Sequence, residues 1–539
     1  MVFASFDPLT LLRTRTNGIK QIALLLPTLA IVITFLSTSH LNAFELAGRS
    51  FYSPRSPSTN AVRSLVGYCN LFVPHEPIED NWHAMLLATT EYQQSFRNYR
   101  IASYYFNSDC IRITGSMTGD RDQNDLLADY FGLSPTFFSN VGMHPTIRNV
   151  LFNIDAALGY DRWFVRLQIP AAWTRWHFNL VKEPDNVGRQ TAYPAQYMAA
   201  TTITAPGNSF TQAMAGTLLF GDMQNVWQNG IICGAQQNGG LAEVRCALGC
   251  HALAEERYGI DLSLLVATPT SNQSCARYFF EPIHGNGRHT ELGIGFDGRV
   301  LLWENDGTQT VTLYGTINAT HLFSSCQRRS FDFCRNGFFS RYLLLKEFDE
   351  TKTYTGKLIP GINVTTLPCS VSVSAQFDIV CMIGYLYRGF EFDFGYNAWI
   401  RTKEKLCITG CIEENHYGIK GIQNVVDALG NPDNTTQSTA TIFGNQLTPA
   451  EQIATADANS PVFIRTSDLD PLSGAATSAF TSKLFAHIGY AWHDYCSIEP
   501  YIGIGGEIEF EGISPERNLQ ANNNTVSQWG IWLKGGIGY

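Results

Sequence analysis

The side chains best placed to do chemistry in this chain are charged groups that stand at alternate positions of otherwise apolar runs. They are the acids Asp155, Glu243, Asp261, Glu291, Asp297, Asp378, Glu391, Asp393, Glu499, Glu507 and Glu509, and the bases Arg166, Arg245, Arg299, Arg401 and Lys534. Carboxylates gathered around a hydrated passage favour cations. Because acids outnumber bases, the set predicts a cation-preferring or weakly selective pore lining. The alternative is satisfied ion pairs, such as Asp297 near Arg299, that brace a wall. Covalent catalysis would need a nucleophile, a base and an orienting group held together. His83, His251, His289, His321, His487 and His493 stand in no compact motif with a serine or an acid, so neither enzyme activity nor a cofactor is expected. Cys246 and Cys250, like Cys407 and Cys411, are four apart, and His416 is near the second pair. Zinc would require a matching partner pair that the spacing lacks, so no metal is expected, and loop disulfides or buried thiols remain. The 13 cysteines are odd in number, which leaves at least one thiol unpaired or available for a bond between chains.

These side chains must be positioned by strands. Strict alternation sends successive residues to opposite faces. In 369–385 one face carries Val371, Val373, Ala375, Phe377, Ile379 and Cys381 and the other Ser370, Ser372, Ser374, Gln376 and Asp378. After a turn at 386–388 the chain returns with Phe390, Phe392, Phe394, Tyr396, Ala398 and Ile400 against Glu391, Asp393, Asn397 and Arg401. Similar hairpins are read at 148–174 (turn Asp161-Arg162), 241–267 (Glu255-Glu256), 289–322 (Asp306-Gly307) and 482–510 (His493-Asp494). The strand at 82–96 and the final segment 526–539 complete twelve, or fourteen if 100–115 and 213–220 are strands rather than loop structure. A short helix is expected over 122–131. Tight turns lie at one end, while the connections 97–147, 179–240, 268–288, 323–368, 403–480 and 511–525 lie at the other. Outer-membrane barrels sort short periplasmic turns from long extracellular loops in this way, and a soluble sandwich has no reason to. The expected fold is therefore all-β, a transmembrane antiparallel up-and-down barrel. Trp163, Trp173, Tyr160, Tyr258, Tyr396 and Tyr490 are candidates for aromatic girdles.

Composition agrees. In 539 residues, 12% aromatic and only 16% charged, there are too many anchors for a disordered chain, and a net charge of −10 disfavours nucleic acid. Arg13, Arg15 and Lys20 precede an apolar core over 22–36 and a polar stretch. This predicts a secretory signal over 1–43, cleaved after Ala43, followed by a periplasmic segment over 44–80 and the barrel over 81–539. In the last strand Trp529, Ile531, Leu533, Ile537 and Tyr539 share one face and the chain stops on an aromatic.

Five blocks, 240–249 (GLAEVRCALG), 276–295 (ARYFFEPIHGNGRHTELGIG), 341–350 (RYLLLKEFDE), 392–407 (FDFGYNAWIRTKEKLC) and 528–539 (QWGIWLKGGIGY), resemble those of large outer-membrane porins or major outer-membrane proteins of chlamydia-like intracellular Gram-negative bacteria. The terminal aromatic strand resembles the signal that the outer-membrane assembly machinery reads. The resemblance implies passive diffusion of ions and small hydrophilic solutes, contact with outer-membrane lipid, and homo-oligomers or disulfide cross-links between molecules. The competing expectation is a non-conducting surface barrel that displays its loops for adhesion, host contact or envelope structure.

Overall fold

The computed structural model describes residues 49–72, 82–106, 108, 110–178, 180–182, 191–305, 308–421, 425–426, 429–444, 461–492, 498–511 and 525–539. The signal segment and the turns at Asp306-Gly307 and His493-Asp494 lie outside them. Twelve antiparallel strands close into a barrel: β1 (Trp82–Ser95), β2 (Thr146–Tyr160), β3 (Trp163–His177), β4 (Arg245–Ala254), β5 (Tyr258–Ala267), β6 (Glu291–Asn305), β7 (Gln309–Ser330), β8 (Thr366–Tyr387), β9 (Phe390–Arg401), β10 (Ala479–Ala491), β11 (Glu499–Glu511) and β12 (Gln528–Gly538). Each strand pairs with its sequence neighbours, and β12 pairs with β1 from Met85↔Gly538 to Ser95↔Gln528, which seals the circuit. The two segments held open as further strands belong to the loops. Residues 100–115 form a helix, α3 (Tyr99–Phe106), and a short strand (Cys110–Thr114), and a short helix covers Phe210–Met214. The helix expected over 122–131 is only a single 3₁₀ turn, Ala128–Phe131.

Alternation follows from the closed wall. Outward positions such as Leu158, Leu264, Ile294, Leu484, Ile504 and Leu533 are exposed, while their inward neighbours are buried or half-buried. Aromatic rings gather at the turn end, where Trp82 lies 4.8 Å from Tyr160 and Phe390 4.7 Å from Tyr490, and again near the loop end, where Tyr92 lies 5.5 Å from Trp529. Between Trp82 and Tyr92 the strand climbs roughly 25 Å, given about 3.3 Å per residue and the usual tilt, the height of an apolar membrane band. Trp173, paired with Val150 as Tyr92 is, stands level with the loop-end ring, whereas Tyr396 lies between the two rings.

One face assignment fails. The β7–β8 register slips between Thr320 and Leu322 and again between Leu322 and Ser325. Two residues on one strand then oppose one on the other, and the extra residue switches the faces. Val371 and Val373 therefore point inward and are buried, on the side opposite Phe377 and Ile379. The turn that follows is Arg388-Gly389, with φ of 48° and 85°, the pair of positive angles that a two-residue hairpin matching strand twist requires.

The six long connections build one cap. Its hydrophobic core takes Tyr105 and Phe131 from the first connection, Tyr193 and Trp227 from the second, Phe279 from the third, Tyr342 and Leu345 from the fourth, Ile419 and Ile442 from the fifth and Val526 from the last. A three-stranded sheet (Leu344–Phe348, Tyr354–Pro360, Tyr417–Ile419) organises it. The polar run at 431–441 is packed into this cap, with Gln437 N donating to Ile419 O at 2.9 Å.

Two lysines are buried in the cap. Lys346 donates to Thr435 O at 2.8 Å and Lys420 to Gly421 O at 3.0 Å, with the Lys420 ammonium 4.2 Å from the Tyr197 ring centroid. Burial pulls Lys346 down to about 8, and burial together with the Lys346 charge pulls Lys420 down to about 7. Since the unfolded chain then holds protons that the folded cap has released, cap stability must rise with pH between about 7 and about 10. Loop cleavage in a limited-proteolysis time course is expected to be slower at pH 9.5 than at pH 7, and Lys420→Met should flatten that difference.

Candidate functional site

The lumen is occupied by the chain itself. Residues 49–72 run down its inside from the loop end to the turn end. At the top Ser50 N donates to Ser473 O at 2.8 Å and Arg401 donates to Ser53 Oγ and Ser53 O, each at 2.9 Å. In the middle Arg55 reaches Asp378 at 2.9 Å and Asn397 at 2.8 Å, and Asn60 Nδ2 donates to Glu507 at 3.0 Å. Asn60 also caps the short helix α1 (Ala61–Leu65) by accepting from Arg63 N, and Gly67, at φ 76°, turns the chain into α2 (Tyr68–Leu71). At the bottom the Phe72 ring lies 4.6 Å from His83. The expectation that 44–80 is a separate periplasmic segment therefore does not hold for residues 49–72. Buried inward charges of the wall need partners, and this segment supplies them.

The predicted lining residues all face inward, but they divide between two sides. On the β8–β12 and β1 side they hold the plug. Arg63 pairs with Glu91, Ala61 N donates to Asp378 at 2.9 Å, Arg55 lies 3.6 Å from Glu509, and Lys534 Nζ donates to the carbonyls of Arg63 and Val66. Val62, Val66 and Cys69 pack there against Met382, Phe485 and Trp532. Glu391 and Asp393 sit lower on this side and Arg401 above them, while Glu499 stands at the turn end of β11.

On the β3–β7 side the plug leaves space. A cavity of about 80 Å³ lies between Ala61, Ser64 and Tyr68 of the plug and Arg166, Arg245, Glu291 and Asp297 of the wall. Toward the cap it abuts one of about 40 Å³ that shares Ser64, Gln168 and Arg245. Toward the turn end it abuts one of about 20 Å³ that shares Leu65, Tyr68 and Asp297 and is also walled by Asp261 and Arg299. The file has room for a few waters. Arg245 closes its upper end by bridging Glu243 at 2.9 Å, Glu291 at 3.3 Å and Thr59 of the plug at 2.7 Å. Asp155 is held by Gln168 at 2.7 Å and Asn153 at 2.6 Å, with Arg166 at 3.7 Å. Asp297 accepts from Thr316 at 2.6 Å, whereas Arg299 donates to Glu255 O at 2.8 Å, so the suspected Asp297–Arg299 brace is replaced by a clamp on the β4–β5 turn.

Cross-strand register creates two histidine–carboxylate pairs that no sequence motif signals. His251 faces Asp261, with Nδ1 to Oδ1 at 2.7 Å, and His487 faces Asp393, with Nδ1 to Oδ2 at 3.1 Å. His251 Nε2 has no hydrogen-bond partner, and His487 Nε2 meets the Tyr501 hydroxyl at 3.2 Å. His416 lies 3.5 Å from Glu347. No disulfide joins any two of the described cysteines. Trp529, Ile531, Leu533, Ile537 and Tyr539 are all exposed on the outer face.

No family model matches the chain, and no curated protein matches it. Among solved structures it is similar to an outer membrane channel from Pseudomonas putida F1, at 9% identity over 86% of this chain and 99% of that one, with a TM-score of 0.32. It is also similar to a FadL homologue from Pseudomonas aeruginosa, at 7% identity over 91% and 99% with a TM-score of 0.28. A third is the outer membrane protease OmpT from Escherichia coli, at 8% identity over 86% and 99% with a TM-score of 0.21. Likenesses of this size say nothing about cargo or activity.

Removing one partner of a buried pair strands the other charge, at about 3–5 kcal/mol. Arg63→Ala, which strands Glu91, is expected to lower the unfolding midpoint of the detergent-solubilised barrel by that equivalent. Arg63→Leu combined with Glu91→Gln should recover most of it in a double-mutant cycle followed by circular dichroism.

Proposed function

We propose that the chain is an outer-membrane channel through which ions and small hydrophilic solutes diffuse passively along the β3–β7 side of the plug, and that the conformation described is its narrowed state. The observation that carries this is the file of abutting cavities, which runs beside the plug from the cap side of the barrel to the turn end, with charged side chains set among apolar ones along its walls. A solute there would meet Arg166 and Arg245 as well as Glu291, Asp297 and Asp261, a mixed lining that suits weak selectivity better than a carboxylate ring does. The apolar exterior between aromatic girdles suits outer-membrane lipid. The exposed terminal strand would be presented to the assembly machinery after export, consistent with the predicted leader. Exposed thiols on the cap, among them Cys233, Cys275, Cys334 and Cys411, are where cross-links between molecules would form. The family resemblance rests on the five sequence blocks alone.

A second reading is favoured by one observation. All six connections share a hydrophobic core over the loop end, as a non-conducting surface barrel that displays a folded cap would require.

Planar-bilayer recording separates the two. The full chain is expected to give small, intermittent conductance steps, and deletion of 49–72 large and stable ones. A folded deletion barrel that stays silent would leave only the display reading. Arg245→Ala removes a positive charge from the file, so the reversal potential in a KCl gradient should move toward cation preference.

A further inference from the structure

Opposite the cavity file, near the turn end, a different chemistry is assembled. Glu391 and Asp393 are two residues apart on β9, hence on one face, and His487 of β10 is the cross-strand partner of Asp393. One ligand atom from each of these three residues lies within 4.8 Å of the other two, and all three side chains are buried. The plug closes the group, with Cys69 Sγ 3.5 Å from Glu391 Oε1. Tyr501 donates to Glu391 Oε2 at 2.9 Å and meets His487 Nε2 at 3.2 Å, fixing both side chains from β11.

We infer that Glu391, Asp393 and His487 bind a divalent cation of the zinc class, and that Cys69 of the plug, which touches Glu391, is drawn in as the fourth ligand so that the ion joins wall to plug. Three observations carry this. The donor set of carboxylate oxygen, imidazole nitrogen and thiol sulfur is what a borderline-soft ion takes, and bonds of about 2.0–2.3 Å at tetrahedral angles put ligand atoms about 3–4 Å apart. The spacings of 3.1 Å between His487 and Asp393 and 3.5 Å between Cys69 and Glu391 fit that range, the three wall ligand atoms lie within 4.8 Å of one another, and Cys69 has to move closer to Asp393 and His487 to complete the set. Second, Asp393 Oδ1 meets no N–H or hydroxyl donor although its residue is only 3% exposed, and its carboxyl stands within hydrogen-bond reach of that of Glu391, so two buried acids crowd a place that a cation would neutralise. The ammonium that acts on Asp393, that of Lys534, donates instead to the carbonyls of Arg63 and Val66. Third, the surrounding wall is hollowed by glycine. A Cβ at Gly384 would stand 2.9 Å from Asp393 Oδ1, one at Gly489 2.4 Å from the Tyr501 hydroxyl, and one at Gly503 2.3 Å from His487 Nε2. Side chains at those positions would displace the ligands.

The test uses the full chain refolded in detergent, stripped of metal and dialysed against Zn²⁺ alone, with bound ion counted by mass spectrometry. Other thiols also bind zinc, so the comparison with variants decides. The wild type is expected to retain one ion per chain more than His487→Ala or Asp393→Asn, whose affinity should fall at least about tenfold, while Tyr501→Phe keeps the ion. Co²⁺ in place of Zn²⁺ should give tetrahedral visible bands with a thiolate charge-transfer band that Cys69→Ser removes. Equal ion content in the wild type and the folded His487 and Asp393 variants would overturn the site, as would a cobalt spectrum unchanged by Cys69→Ser. That last variant is near-isosteric and lies in the plug, so it keeps the test decisive if a wall variant fails to fold. None of these readouts depends on conduction.

Discussion

Closure of the strand circuit is the constraint from which the rest of the molecule follows. Once β12 pairs with β1, the wall has no open edge and no unpaired row of peptide groups, which is the condition for a sheet to face hydrocarbon. Closure also fixes which way each side chain points, because a one-residue slip would exchange lipid-facing leucines for buried carboxylates. It creates an enclosed interior as well. Charges that project into that interior must be hydrated, paired with each other, or met by another part of the chain, and here residues 49–72 do much of that work.

Much of the wall was legible in the sequence, because a strand declares itself locally. The period-two alternation in 148–174 and 390–401, and the contrast between two-residue turns and connections of tens of residues, narrowed strand number to twelve or fourteen and indicated strand order without any long-range information. The β7–β8 bulges were not legible, since an inserted residue leaves the pattern of types intact and only changes which face it falls on. The plug was invisible for a different reason. Ser53, Arg55, Asn60 and Arg63 form no periodic pattern, and their partners Asp378, Glu507 and Glu91 lie up to hundreds of residues away. The histidine–carboxylate pairs were hidden likewise, because a motif search reads along the chain while His251–Asp261 and His487–Asp393 are joined across strands. The cap's aromatics were counted at the outset, yet composition does not say that six separate loops would pool them.

The candidate lining residues, read from sequence as one uniform set, divide into two groups that do different things. Those on β8–β12, together with Glu91 of β1, grip the plug through ion pairs and a small apolar cluster. Those on β3–β7 touch it at points, Glu243 at Ser58, Arg245 at Thr59 and Arg166 at Ser64, and leave a file of cavities between those contacts. A plug packed closely on one side and held only at points on the other leaves the lumen narrowed but not filled, and one short segment sets how much room remains.

The shared core of the cap bears on how the chain tolerates change. Loops that hang separately from a barrel can each accept insertions and substitutions with little effect on the others. Here Phe131, Trp227, Phe279, Tyr342, Ile419 and Val526, one from each connection, meet in a single packed interior, so altering a buried residue in one loop disturbs the seating of the other five. Sequence drift is thereby channelled to positions that no loop buries, such as the exposed tip Glu350, Thr351 and Lys352 between two cap strands. The outer surface of the cap can vary at such tips while the frame beneath them is held fixed.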